Sequence, residues 1–243
     1  MKNRIALLIA VALIACLGAS QAQEALEPEP QALLDEAVEQ LQSAESFRLA
    51  IEQRGQPYQL ALSFDGVNML PATLQSAEAQ VISPDELHIS ARLRLIIPLS
   101  MDIYSRDDRQ WLSFPSGAPW FQLPAFDGFD VSRLLAPEDG IEKVMSNLQA
   151  PQIADAEALV DEQPAWRIEA TAAGDAVEVL LFGFIDPKDD VELDAYITAG
   201  DGRLALIEIL MLETALDPEV DPSIWHIKFY DYDAPRGFEA PAS

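Results

Sequence analysis

The sequence predicts an α+β domain in which one long antiparallel sheet carries most of the chain and a few helices cover it. Three observations point there. Apolar and polar residues alternate over many successive segments, as strands with one buried face require. Turn residues separate those segments, from Ser83-Pro84-Asp85 to Ala199-Gly200-Asp201-Gly202, the strongest hairpin signal in the chain. Apolar residues at helical spacing occupy only a few short stretches, too few to cover so many strands.

The first element predicts export rather than structure. Met1-Lys2-Asn3-Arg4 supplies a positive n-region, and the apolar run at 5–14 is too short to span a bilayer, so residues 1–15 read as a signal peptide. The run ends in Leu13-Ile14-Ala15-Cys16, which resembles the site where lipoprotein-processing enzymes acylate a cysteine and cleave before it. Cleavage after Ala22, with Ser20 and Ala22 suitably small, is the alternative. Cys16 is the one cysteine among 243 residues, so no disulfide forms within a monomer. Lipidation at Cys16 predicts a protein anchored to the cell membrane on its extracytoplasmic face, without a transmembrane helix.

Residues 16–31 follow as a flexible tether rich in Glu, Gln, Ala and Pro, including Glu27-Pro28-Glu29-Pro30. Residues 32–243 form a single domain, long enough for one sizeable core and broken by no second linker. Leu33, Leu34, Ala37, Val38 and Leu41 recur at helical spacing and predict an amphipathic helix at 32–44.

Strands come next. Phe47, Leu49 and Ile51 alternate with Arg48, Ala50 and Glu52; residues 58–66 place Leu60, Leu62 and Phe64 on one face; and 74–82 continues with smaller residues. Leu87, Ile89, Ala91, Leu93 and Leu95 stand opposite His88, Ser90, Arg92 and Arg94. Met101 and Ile103 alternate with Asp102 and Tyr104, and 110–114 closes a long meander. The middle is a loop dense in aromatics, with Trp120, Phe121, Phe126 and Phe129, before a short helix at 137–148. Strands resume at 153–161 and 165–172. Residues 175–184 read as a helix with Val177, Leu180 and Leu181 inward, although so short an apolar run also suits a strand. A hairpin at 191–198 and 203–212 and a last strand at 224–231 complete the domain.

Charge limits the partners. The chain carries 15 Lys plus Arg against 41 Asp plus Glu, and its cations cluster no further than pairs such as Arg92 and Arg94, so it lacks the basic footprint that nucleic acid requires. The same balance opposes attraction of the whole domain to anionic headgroups, which leaves a covalent anchor. The acidic surface itself reads as a solubility or salt-tolerance device.

Catalysis has little support either. The two histidines, His88 and His226, stand in alternating strands at positions expected to face solvent. Ser113-Phe114-Pro115-Ser116-Gly117 lacks the leading glycine of a nucleophile elbow and carries proline at its strained turn. The acidic clusters at Asp186, Asp189 and Asp190 and at Asp217, Glu219 and Asp221 lack the glycine and ligand offsets of a calcium loop, and read as solvated turns. No cofactor or metal is expected.

The order of elements adds a resemblance. A lipobox, a first helix, Ser46-Phe47-Arg48 opening a strand, a Pro84-Asp85 turn, a hairpin from Tyr104 to Trp111, a late hairpin at Asp201-Gly202, and the closing Phe229-Tyr230-Asp231-Tyr232-Asp233-Ala234-Pro235 resemble the LppX/LprAFG lipoprotein family. The resemblance runs from about residue 33 to 241. It implies a LolA/LolB-like fold, a strongly curved antiparallel half-barrel wrapped over helices and enclosing an apolar cavity for acyl chains of lipids or glycolipids.

On that implication the cavity candidates are Leu60, Leu62, Phe64, Leu93, Leu95, Met101, Ile103, Val177, Leu180 and Leu181. Trp120, Phe121, Phe126 and Phe129 are candidates for a lid or, equally, for a buried plug. The expected function is to bind acylated lipids and carry them within the cell envelope, with an envelope transporter or acceptor protein as a further partner. An envelope sensor and a structural lipoprotein with a packed core are the alternatives.

Overall fold

The computed structural model describes residues 28–241, apart from 63–69, 108, 124–130, 138, 184, 186 and 216–218. The signal segment, Cys16, Phe64, Phe126, Phe129, Asp186 and Asp217 lie outside the described residues. So does the side chain of Leu62, whose backbone is part of a strand.

The first helix, α1 (Pro30–Ser43), begins where proline's missing N–H costs nothing, and it buries Leu34, Ala37, Val38 and Leu41 along one stripe. The extended backbone of Ala44 ends it and leads into β1 (Ser46–Arg54). β2 (Leu60–Leu62) and β3 (Leu70–Ile82) follow, then the hairpin-linked β4 (Glu86–Arg94), β5 (Pro98–Arg106), β6 (Arg109–Ser113) and β7 (Phe121–Gln122). Two short helices, α2 (Val131–Leu135) and α3 (Ile141–Ser146), precede β8 (Gln149–Val160) and β9 (Gln163–Ala172). α4 (Gly174–Val177) runs into a 3-10 turn at Glu178–Leu181, and β10 (Val191–Thr198), β11 (Leu204–Met211) and β12 (Ser223–Tyr230) finish the fold.

The main path of the sheet runs β7-β6-β5-β4-β3-β1-β12-β11-β10-β9-β8, with β2 paired to β3 off this path. Its pairs are antiparallel, and the sheet is curved but not closed, with β7 and β8 at its two edges. β1 joins the halves by pairing with both β3 and β12. One row of paired positions crosses the later half from Gln149 through Thr171, Glu192, Leu210 and Ile224 to Arg54. Two residues earlier on β1, the row at Glu52 crosses the other half through Ser76, Arg92 and Ser100 on β3, β4 and β5. These rows mark one end of the sheet, and the 95–97 turn projects beyond it.

The inner face is apolar along every long strand of the centre. Phe47, Leu49 and Ile51 on β1, Leu87, Ile89 and Leu93 on β4, Ile207 and Ile209 on β11, and Trp225 and Ile227 on β12 are buried in one cluster with the stripe of α1. α1 lies along α3 and touches β8, β10 and β11. Gln31 Nε2 donates to the Met145 carbonyl, which sets the start of α1 near the chain's entry into β8, at the end marked by the rows. Gly202, at φ +70°, makes the β10–β11 turn against α1, where an added Cβ would stand 3.0 Å from Gln40 Nε2.

Some expected boundaries move. The helix expected at 137–148 is confined to α3, starting after the extended Gly140. The segment at 175–184 is helical as read but short: α4 passes into the 3-10 turn, which ends where Phe182 takes a left-handed φ of 52°. α2 and β7 arise within the stretch read as loop, and β8 starts four residues before the expected 153.

Candidate functional site

Seven of the ten cavity candidates meet inside. Leu60, Leu93, Met101 and Ile103 from the sheet and Val177, Leu180 and Leu181 from α4 and its 3-10 extension are buried in the same apolar cluster, and Leu95 packs half-buried against it. Alternation decides which residues point in, so this much follows from a period of two. Between them the sheet surface is lined by small side chains: Ala77 and Ala91 are directly paired on β3 and β4, and both are buried. Polar groups interrupt the apolar lining at a few positions, among them Ser105, Ser223 and Trp225. Trp225 is fully buried, and its indole N–H has no hydrogen-bond acceptor among the described residues; Tyr58 packs edge-on against the ring, 6.0 Å between centroids.

The two described lid candidates lie apart from this cluster. Trp120 stands edge-on to His88 on the outer face, with centroids 6.4 Å apart, and Phe121 is 44% exposed on the edge strand β7. Leu123, just beyond, packs against the inner cluster instead.

The outer face carries the charged groups. A groove of about 520 Å³ over β8 to β12 is lined by Arg167, Glu169, Asp194, Glu208 and His226, among others. Arg167 pairs with Asp194 at 2.7 Å, while burial pushes the Asp194 carboxyl up against that pull. Glu208 accepts from the Tyr196 hydroxyl at 2.8 Å and faces His226 Nδ1 at 2.9 Å. Burial lowers the His226 imidazole, opposed by Glu208. A second groove of about 460 Å³ lies between α1 and α3, lined by Asp35, Glu39, Gln42 and Glu142 with Val38, Met145 and Ser146. Both grooves are lined largely by polar side chains, and neither is the apolar interior that the strand pattern points to.

Both histidines lie on the outer face, as the alternation requires, but both are largely covered. His226 is held by Glu208, and His88 lies beneath the C-terminal segment, stacked on Phe238 with ring centroids 4.6 Å apart. That segment crosses β3 and β4 as a strap. The Gly237 N–H donates to Gln80 Oε1 at 2.8 Å, Gln80 Nε2 donates to the Pro235 carbonyl at 3.1 Å, and Arg236 pairs with Glu86. Sequence reasoning missed the strap, because nothing local marks residues 235–238 as covering His88. Among the described residues, no hydroxyl or thiol is hydrogen-bonded to either imidazole and no cluster of His, Cys, Asp or Glu forms a metal site. The Asp189 turn is tied down by Glu213, which accepts the Lys188 and Asp189 N–H groups.

The family profile described as LppX_LprAFG lipoprotein matches residues 29–235. The chain is similar to the solved structure of LprF from Mycobacterium bovis, at 14% identity, covering 89% of this chain and 98% of that one with a TM-score of 0.64. It is similar too to the Mycobacterium tuberculosis lipoprotein LppX, at 14% identity, 88% and 100% coverage and a TM-score of 0.58. Likenesses this remote in sequence concern the fold. No curated protein matches the chain at a significant level.

Proposed function

This chain belongs to the LppX/LprAFG lipoprotein family, and from that premise we propose that it binds acylated lipids or glycolipids beneath its curved sheet and carries them within the cell envelope. The observation that carries the reading is the apolar inner face itself. It extends across the centre of an unclosed sheet whose described helices on that side are α1 and a few short ones, and Ala77 opposite Ala91 thins its middle. A surface of that kind is filled either by side chains or by a ligand. Acyl chains suit it, because burial stabilises each CH₂ by about 0.8 kcal/mol with no directional demand. The unpartnered indole N–H of Trp225 offers one donor to an ester carbonyl within the same interior.

In this reading the chain is a binding protein rather than an enzyme, and acylated Cys16 holds it at the extracytoplasmic face of the membrane. Phe121, exposed on the edge strand β7, is the described lid candidate best placed to border a mouth. The test is native mass spectrometry of the protein purified from a bacterial membrane extract, followed by solvent extraction. A discrete extra mass matching an acylated lipid supports the carrier; no bound mass after incubation with membrane lipids makes it a packed structural lipoprotein. A sensor would bind lipid too, and would be told apart by a protein partner that binds more tightly when lipid is loaded.

A further inference from the structure

Four of the six exposed large hydrophobic side chains among the described residues are gathered at one end of the sheet. Ile96 is 101% exposed and Ile97 60%, both in the three-residue turn between β4 and β5. The Leu95 N–H donates to the Ile97 carbonyl, so the turn is closed on itself and pushes the two side chains outward. Leu212 and Val220, also exposed, flank the ends of β11 and β12 where Met211 pairs with Ser223, at the same end of the sheet. Of the six large hydrophobic side chains that are exposed among the described residues, these four share that end; Phe121 and Leu159 lie elsewhere.

Charge at the turn departs from the rest of the chain. Arg92 and Arg94 are exposed on the outer face of β4 immediately before the two isoleucines, and neither has an ion-pair partner among the described residues. Two guanidinium groups beside a pair of isoleucines suit one kind of surface, a bilayer with anionic headgroups over an apolar interior. On β1, beyond β3, Arg54 pairs with Glu52 at 2.9 Å, and Glu213, Glu219 and Asp221 stand on the β11–β12 side. The approach is therefore tilted, with the β4–β5 turn lowest. The formal charge of −26 supports this orientation rather than opposing it, since an anionic surface repels the acidic body while screening confines that repulsion to about 10 Å.

The described chain begins at the same end. α1 starts beside the entry to β8, at the end that the 95–97 turn overhangs, and residues 16–29 reach at most about 50 Å when fully extended. We infer that the turn formed by Leu95, Ile96 and Ile97, with Arg92 and Arg94 behind it, is a docking tip that dips into the anionic membrane surface and points this end of the domain at the bilayer. The inference gives the lipid carrier its membrane face, and it rests on that reading only for the tether.

The test uses the processed full chain in vesicles of zwitterionic lipid with roughly one third anionic lipid, carrying Ile96→Cys labelled with an environment-sensitive fluorophore. Ala156→Cys, exposed on β8 near the far end of the sheet, is the reference. The tip label should shift to the blue and be quenched about twofold or more by brominated acyl chains, while the reference label reads as water. Replacing Arg92 and Arg94 together by serine should lower the ratio of docked to undocked protein, by roughly fivefold per charge. A label at 96 that stays in water on anionic vesicles overturns the proposal. A blue shift that appears without lipid and rises with protein concentration overturns it as well, by making the tip a contact between copies. The anchor is read separately. Wild-type chain, whose one thiol is Cys16, takes up label only if that thiol is not acylated, and in that event the tip is measured on a Cys16→Ser background.

Discussion

Phe238 lies almost flat on His88, their ring centroids 4.6 Å apart and their planes 17° from parallel, and Tyr104 meets the same phenylalanine edge-on at 5.9 Å. The stack roofs the imidazole. Burial lowers the His88 pKa below its ordinary 6.5, with Asp102 pulling weakly the other way. The folded protein therefore holds His88 neutral where the unfolded chain begins to protonate it. Since the unfolded state binds more protons in that window, stability is full above about pH 6.5 and declines as pH falls below it. The urea midpoint should drop between pH 7.5 and 5.5, and His88→Gln should shrink that drop. An unchanged drop would assign it to other groups, among them His226, whose pKa is lowered by burial too.

The strap gives a second expectation. Glu86 is only 6% exposed at its side chain and is satisfied by Arg236 and by the Tyr104 hydroxyl, which donates at 3.0 Å. Arg236→Ala leaves that carboxylate half-partnered, at a cost of about 1–3 kcal/mol. Urea titration should read that loss, and limited proteolysis should find the segment from 234 onward cut faster. A variant that unfolds and is cleaved like the wild type would show that the strap contributes nothing.

How far the sequence was legible shows in β4. Leu87, Ile89, Ala91 and Leu93 alternate with His88, Ser90, Arg92 and Arg94, and the strand runs from Glu86 to Arg94, within a residue of its pattern. The helical stripe of α1 was equally plain. Alternation names the face of a strand but not what lies over it, so His88 read as solvent-facing while Phe238, 150 residues further along the chain, covers it. Short elements failed for a related reason. α2 and β7 hold five and two residues, too few for either period to register. The interior has the same ambiguity, because a pattern that buries Leu93 and Ile103 is satisfied alike by neighbouring side chains and by an acyl chain.

The anchor is tested most directly at Cys16, which lies before the described residues. Cys16→Ser removes the atom that would carry the acyl chains, so the protein should move from the membrane pellet to the soluble fraction. Docking through Ile96 and Ile97 alone is expected to be reversible and salt-sensitive. Retention of the variant in the pellet through a wash at about 1 M salt would remove the covalent anchor from the account.

Trp225 supplies a measurement inside the fold. Its indole N–H is buried without an acceptor among the described residues, so Trp225→Phe loses packing volume but no hydrogen bond within the protein. Large-to-small changes of this kind cost about 1–3 kcal/mol, less than the 3–5 kcal/mol of a full truncation to alanine. If an ester carbonyl is the missing acceptor, the phenylalanine variant should also hold lipid more weakly, since the donor is lost from the complex. Equal retention of lipid by both proteins, read by native mass spectrometry, would exclude the Trp225 indole N–H as a donor to the ligand.

Leu93→Trp separates a ligand-filled interior from a packed one. Leu93 is fully buried on β4 opposite Leu74 and Leu99, in the cluster that holds Met101 and Ile103. If side chains alone fill the space beneath it, the larger indole overpacks the core and lowers stability by about 1–3 kcal/mol. If an acyl chain fills it, the indole occupies ligand volume instead. Lipid loading then falls while the lipid-free protein keeps its unfolding midpoint, because the new ring replaces a guest rather than displacing neighbours. Loss of stability without loss of loading would place Leu93 in packed core; loss of loading at unchanged stability would place it on the cavity wall. The two readings predict opposite pairs of results from one variant.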